Sequence, residues 1–107
     1  MHKAYYPVAL VGELTPGEAK QVTVAADENY VLYCLGPREY YASFSLCPHQ
    51  NEPLDQGHIE GNEVVCRRHH LRFDVRSGVC TNAGGYWMQT LDVKIEGDQI
   101  LIGRWED

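Results

Sequence analysis

Cys47-Pro-His49 and, beyond residues 50–65, Cys66-Arg-Arg-His69 form the stretch on which the reading of this chain turns. Two cysteines and two histidines fall in two short segments, each segment holding one of either kind. Gly57 and Gly61 lie between them, in a polar stretch that also carries Asn51, Glu52, Asp55 and Gln56. Thiolate and imidazole are the donors that hold zinc and iron–sulfur centres. Residues of these types on an apolar face would read as packing, but both segments are polar and bounded by glycine. Cys47, His49, Cys66 and His69 are therefore candidate metal ligands.

The order of the four separates the metals. Zinc modules with two Cys and two His usually pair like with like, C-x-x-C and then H-x-x-x-H. Here each segment supplies one Cys and one His. A [2Fe–2S] centre in which one iron keeps two Cys and the other takes two His calls for that division. A structural zinc site and a chance grouping stay open as competing readings at this point.

On either side of the candidate site the chain reads as strand. Gln21–Ala25 carries Val22 and Val24 on one face, after a turn at Thr15-Pro-Gly-Glu18. Tyr30–Leu35 and Tyr40–Leu46 flank Gly36-Pro37 and predict a hairpin. At the C-terminus Leu91, Val93 and Ile95 alternate with Asp92, Lys94 and Glu96, Gly97-Asp98 turns the chain, and Ile100 and Ile102 resume the alternation. That is the pattern of a half-buried antiparallel hairpin. No sustained 3.6-residue apolar period occurs, so little helix is expected. Between these flanks, Val64-Val65 leads into Cys66 and Leu71–Val75 predicts a short strand closed by Arg76-Ser-Gly78. The rest of 47–88, with Gly57, Gly61, Gly84 and Gly85, reads as loop. The expectation is an all-β framework with a metal-binding insert of about forty residues.

Composition narrows the function. The chain has 107 residues, enough for one domain with a small core, and is 44% hydrophobic and 22% charged, which argues against disorder. A formal charge of −6 argues against nucleic acid and anionic membranes. It suits steering toward basic surfaces on partner proteins, and equally it suits simple solubility. Residues 4–12 are uncharged but far short of the roughly 20 apolar residues of a membrane span. The start, Met-His-Lys-Ala-Tyr-Tyr, lacks the pattern of a signal peptide, so a cytoplasmic protein is expected. Cys34 and Cys80 are then expected as reduced thiols, with Cys34 in the core. There is no nucleophile–base pair and no Gly-rich phosphate loop. Nor is there the two-His-one-carboxylate iron site of an oxygenase. The chain reads as no enzyme.

Around the ligand pattern the chain resembles the Rieske ferredoxins. The resemblance rests on Cys47-Pro-His-Gln-Asn-Glu-Pro-Leu-Asp-Gln-Gly57, on Gly61-Asn-Glu-Val-Val-Cys-Arg-Arg-His69 and on Phe73-Asp-Val-Arg-Ser-Gly78. The Cys-Pro-His-Gln opening is most similar to ferredoxins of bacterial aromatic-ring oxygenases. The resemblance implies a single domain, 1–107. It would be a Rieske-like antiparallel β-sandwich or barrel with a two-loop cluster-binding subdomain at about residues 45–88. It implies one [2Fe–2S] cluster, with Cys47 and Cys66 on the inner iron and His49 and His69 on the outer one. It further implies a monomeric one-electron carrier between a flavin-dependent reductase and a terminal oxygenase. A Rieske-like small subunit of a nitrite-type reductase is the alternative, and a zinc-stabilised interaction module a more distant one.

Where high-potential Rieske proteins have a disulfide and a serine hydroxyl beside the cluster, this chain has Glu52, Arg68 and Leu71. None can supply those contacts. The resemblance therefore implies a potential at the low end of the Rieske range, about −150 mV. His70 reads as an exposed neighbour of His69, His58 as a polar loop residue, and His2 as part of a disordered terminus. Arg67 and Arg68 read as a solvated pair, or as charge for docking. Trp87 and Trp105 read as packing residues, not electron relays.

Overall fold

The computed structural model describes residues 2–25, 28–44, 58–66 and 70–106. Within them the chain forms nine strands and no helix: β1 (His2–Leu10), β2 (Ala19–Ala25), β3 (Glu28–Gly36), β4 (Glu39–Phe44), β5 (His58–Glu60), β6 (Glu63–Val65), β7 (Arg72–Asp74), β8 (Thr90–Glu96) and β9 (Gln99–Glu106). All pair antiparallel. Six of them make one sheet in the order β1-β9-β8-β4-β3-β2, which curls until its edge strands β1 and β2 come into contact. The other three make a small sheet, β5-β6-β7, inserted in the sequence between β4 and β8. This is the all-β framework with an insert that the turn spacing predicts. Among the described residues no helix is long and apolar enough to cross a membrane.

The predicted hairpins form. β3 and β4 turn through Pro37 and Arg38, the latter left-handed at φ 59°. β8 and β9 turn through Gly97 at φ 63°, and the Ile100 and Ile102 side chains are fully buried. Thr15–Glu18 is a turn closed by Glu18 N–H donating to the Thr15 carbonyl at 3.1 Å.

Two strands depart from the sequence reading. β1 is a nine-residue strand that includes His2, so the N-terminus is not a disordered tail. Proline hid it: Pro7 has no N–H, and the strand lies at the sheet edge with its register to β9 shifting between Pro7 and Ala9. His2 Nε2 lies 3.8 Å from Glu106 Oε1 on β9. β5 is the second, three residues long and too short to show an alternation. His58 is exposed as expected, but on this strand and not in a loop.

β3 decides where the insert packs. Tyr30, Leu32 and Cys34 point to a core shared with Val22, Tyr40, Ala42, Ile100 and Ile102. Val31 and Tyr33 point the other way, into a second core with Val64, Cys66, Phe73, Val75, Cys80 and Met88. An unbroken apolar run in place of an alternating one is what a strand buried on both faces needs. Burying Val31 and Tyr33 stabilises the attachment by about 1.5–3 kcal/mol for each side chain. Cys34 and Cys80 are both buried free thiols, each in a different core, on opposite faces of β3.

Candidate metal centre

Of the four candidate ligands, Cys66 is described. Cys47, His49 and His69 lie outside the described residues, as do Glu52, Arg67 and Arg68. Cys66 follows directly on β6 and is 1% exposed, packed into the second core. Its N–H donates to the Leu71 carbonyl at 2.7 Å, and its own carbonyl accepts from the His70 N–H at 2.9 Å. The two bonds tie Cys66, just after β6, to His70 and Leu71, just before β7. His70 is exposed and left-handed at φ 57°. Such a conformation costs a residue with a β-carbon about 1–2 kcal/mol, and the paired ends of β6 and β7 hold it in place. His70 is thus exposed, as expected.

Phe73, Asp74 and Gly78 of the Phe73–Gly78 motif each have a structural role. Phe73 is fully buried in the second core. Asp74 accepts the Arg76 N–H through Oδ1 at 2.8 Å, the side chain standing in for backbone in a turn. The Arg76 guanidinium, bonded to Asp74 at 3.2 Å, holds that carboxyl below its ordinary range. Gly78 takes φ +85° and sends its N–H to the Asp74 carbonyl at 2.7 Å.

A third segment, 79–88, lies against this hairpin. Phe73 and Cys80 form one antiparallel bridge, and Val79 and Trp87 another. The Asn82 side chain reaches back to the start of β7: Nδ2 donates to the His70 carbonyl at 2.9 Å, and Oδ1 accepts the Arg72 N–H at 3.0 Å. No sequence signal pointed to Asn82. Asparagine in a loop does imitate backbone hydrogen bonding, but partners ten and twelve residues away cannot be read from spacing. The tryptophans correct the sequence reading. Trp87 is 65% and Trp105 64% exposed, so neither is a packing residue. Trp105 instead lies under Lys3 Nζ, which stands 4.7 Å from its ring centroid.

The outer face of the small sheet is charged and tied together. Arg72 on β7 bonds Glu63 on β6 at 2.7 Å and Glu60 on β5 at 2.8 Å, and His58 Nε2 meets Glu60 at 2.6 Å. His58 and Arg72 hold Glu60 below the ordinary carboxylate range, and Thr81 and Arg72 do the same for Glu63. These bonds cross all three strands of the sheet that carries Cys66.

The described part of the site suits a [2Fe–2S] cluster. A buried thiol stands directly after β6, shielded from oxidants and bulk water.

Comparison with known proteins points to the same kind of cluster. A profile described as the Rieske [2Fe-2S] domain matches residues 4–86. The chain is 32% identical over 100 residues to the ferredoxin component of the alkene monooxygenase system of Xanthobacter autotrophicus, covering 92% of this chain and 80% of that one. It is similar in structure to the ferredoxin of carbazole 1,9a-dioxygenase from Nocardioides aromaticivorans IC177, with TM-score 0.83 and 30% identity over 92% of this chain and 95% of that one. A putative NADH-dependent nitrite reductase small subunit from Mycobacterium tuberculosis superposes with TM-score 0.89 over 100% of both chains. At 14% identity that likeness is one of fold alone.

Proposed function

The chain belongs to the Rieske [2Fe–2S] family, and from that membership we propose that it is a one-electron carrier serving a terminal oxygenase. The observation that carries the reading is Cys66, a buried thiol whose backbone is bonded to His70 and Leu71, in a chain whose relatives are ferredoxin components of oxygenase systems. Cys47 and Cys66 hold one iron and His49 and His69 the other, with residues 1–107 forming one domain and about 45–88 its cluster-binding part. The bound cluster supplies a single-electron redox centre whose two imidazoles place its potential above that of an all-Cys ferredoxin.

The chain's own residues hold and bias that centre. Cys66 anchors from the buried side, and its backbone bonds to His70 and Leu71 hold the chain on the far side of His69. No hydroxyl is available at position 71, so the potential belongs at the low end of the Rieske range. A flavin-dependent reductase is the electron donor in this scheme. The acidic surface steers the monomeric, cytoplasmic carrier toward basic patches on its partners. The nitrite-type alternative rests on fold alone.

The test is direct. Purified protein should be red-brown, carry about two irons per chain and, once reduced, give the EPR signal of a two-His, two-Cys cluster. The reduced form should then pass electrons to a terminal oxygenase of the alkene or aromatic type. A colourless protein holding one zinc per chain overturns the reading.

A further inference from the structure

We propose that Asn82 is a positioning residue for the cluster, holding the second ligand segment in place from a segment that contributes no ligand. The inference rests on the ligand assignment above. Asn82 behaves toward the chain after His69 as a neighbouring strand residue would: its amide N–H donates to the His70 carbonyl at 2.9 Å and its amide oxygen accepts the Arg72 N–H at 3.0 Å. The two bonds span Leu71, whose carbonyl in turn accepts the Cys66 N–H at 2.7 Å. Cys66, His70, Leu71, Arg72 and Asn82 therefore form one continuous hydrogen-bonded frame.

The base of Asn82 is itself held. Thr81 N–H donates to the Arg72 carbonyl at 2.8 Å, and the Cys80 thiol lies 3.5 Å from Asn82 Oδ1. The side chain thus starts from a backbone already paired to β7, so little entropy is lost in making its two bonds. The need for such a brace follows from His70. A left-handed residue with a β-carbon tends to relax toward negative φ, and relaxation there would strain the His70 and Leu71 backbone bonds to Cys66. Asn82 grips the carbonyl of that same residue. The asparagine amide offers a donor and an acceptor side by side; aspartate keeps the acceptor only, and alanine keeps neither.

The experiment compares wild type, Asn82→Ala and Asn82→Asp, with Asn29→Ala as the control. Asn29 is an exposed residue on β3 whose side chain bonds Thr23 on β2 at 2.9 Å, within the main sheet. Cluster release to a ferrous chelator and amide exchange at Arg72 are followed together, along with the EPR line shape of the reduced protein. Asn82→Ala should release the cluster about tenfold faster and exchange the Arg72 amide about tenfold faster, with Asn82→Asp intermediate and Asn29→Ala at the wild-type rate. Its EPR signal should broaden as the ligand segment samples more than one geometry. Wild-type release and line shape in Asn82→Ala, even with a lowered melting temperature, would overturn the proposal by showing Asn82 to be structural only. A wild-type protein without colour would sink the cluster assignment first, and the proposal with it.

Discussion

A β-carbon on Gly78 would lie 2.3 Å from the carbonyl oxygen of Met88. The backbone of the 74–78 turn and the strand-like segment 87–88 approach so closely because Met88 N–H donates to the Gly78 carbonyl at 2.7 Å. With φ +85° the position is closed to other residues twice over, by conformation and by space. Gly78→Ala is expected to destabilise by at least about 2 kcal/mol, lowering the melting temperature by roughly 8 °C or more. Thermal unfolding followed by circular dichroism checks this; an unchanged midpoint would mean that segment 87–88 shifts at little cost.

Tyr33 and Ser43 give a second prediction. Their hydroxyls lie 2.7 Å apart, both side chains fully buried, and Ser43 Oγ donates onward to the Phe44 carbonyl at 2.9 Å. Phe44 ends β4, where the chain leaves for the segment of Cys47 and His49. Tyr33→Phe keeps the ring in the second core and removes one buried hydrogen bond, so a loss of about 1 kcal/mol is expected in denaturant unfolding. A loss several times larger would point to a wider polar network around this pair.

The His70 position separates backbone role from ligand role. Glycine adopts φ near 57° freely, so His70→Gly should keep the cluster spectrum and leave stability equal or raised by about 1 kcal/mol. His69→Ala should abolish the two-His EPR signature, and His69→Cys should keep a cluster at lower potential. The opposite pattern, with the signature lost in His70→Gly and kept in His69→Ala, exchanges the two assignments.

The Arg72 network makes stability depend on pH. Glu60, through His58 and Arg72, and Glu63, through Thr81 and Arg72, both have folded-state pKa values below their ordinary 4.5. The unfolded chain therefore binds protons first as pH falls, so these groups stabilise the fold fully above about pH 5 and lose that contribution as pH drops through their lowered folded values. Arg72→Met should flatten the acid limb of a stability–pH curve measured between about pH 3 and pH 7. A curve as steep as that of the wild type would place the acid sensitivity elsewhere.

Much of the fold could be read along the chain because it depends on local chemistry. The β8–β9 hairpin shows in the alternation of Leu91, Val93 and Ile95 with charged residues, and the β3–β4 turn in Gly36-Pro37. β1 escaped because Pro7 interrupts it, and a proline is tolerated only where the N–H side of a strand has no partner, which is a fact about position in the sheet. The tryptophans escaped for a related reason. Trp87 and Trp105 are large and apolar, which favours the core on average, but each falls on the outward side of its strand or bridge.

The donor types and their spacing, Cys-x-His and Cys-x-x-His, are local facts, and local facts pointed to the chemistry. The packing around them is not local. The apolar run of β3 is consistent with a buried strand or a buried helix segment, and only the pairing of β3 between β2 and β4 gives it two faces, one for each core. Likewise, nothing near Asn82 in the chain announces that its amide will meet the backbone of His70 and Arg72. Hydrogen bonds between segments ten residues apart depend on where the turn after β7 returns the chain, and that path is set by the close approach of Gly78 to Met88.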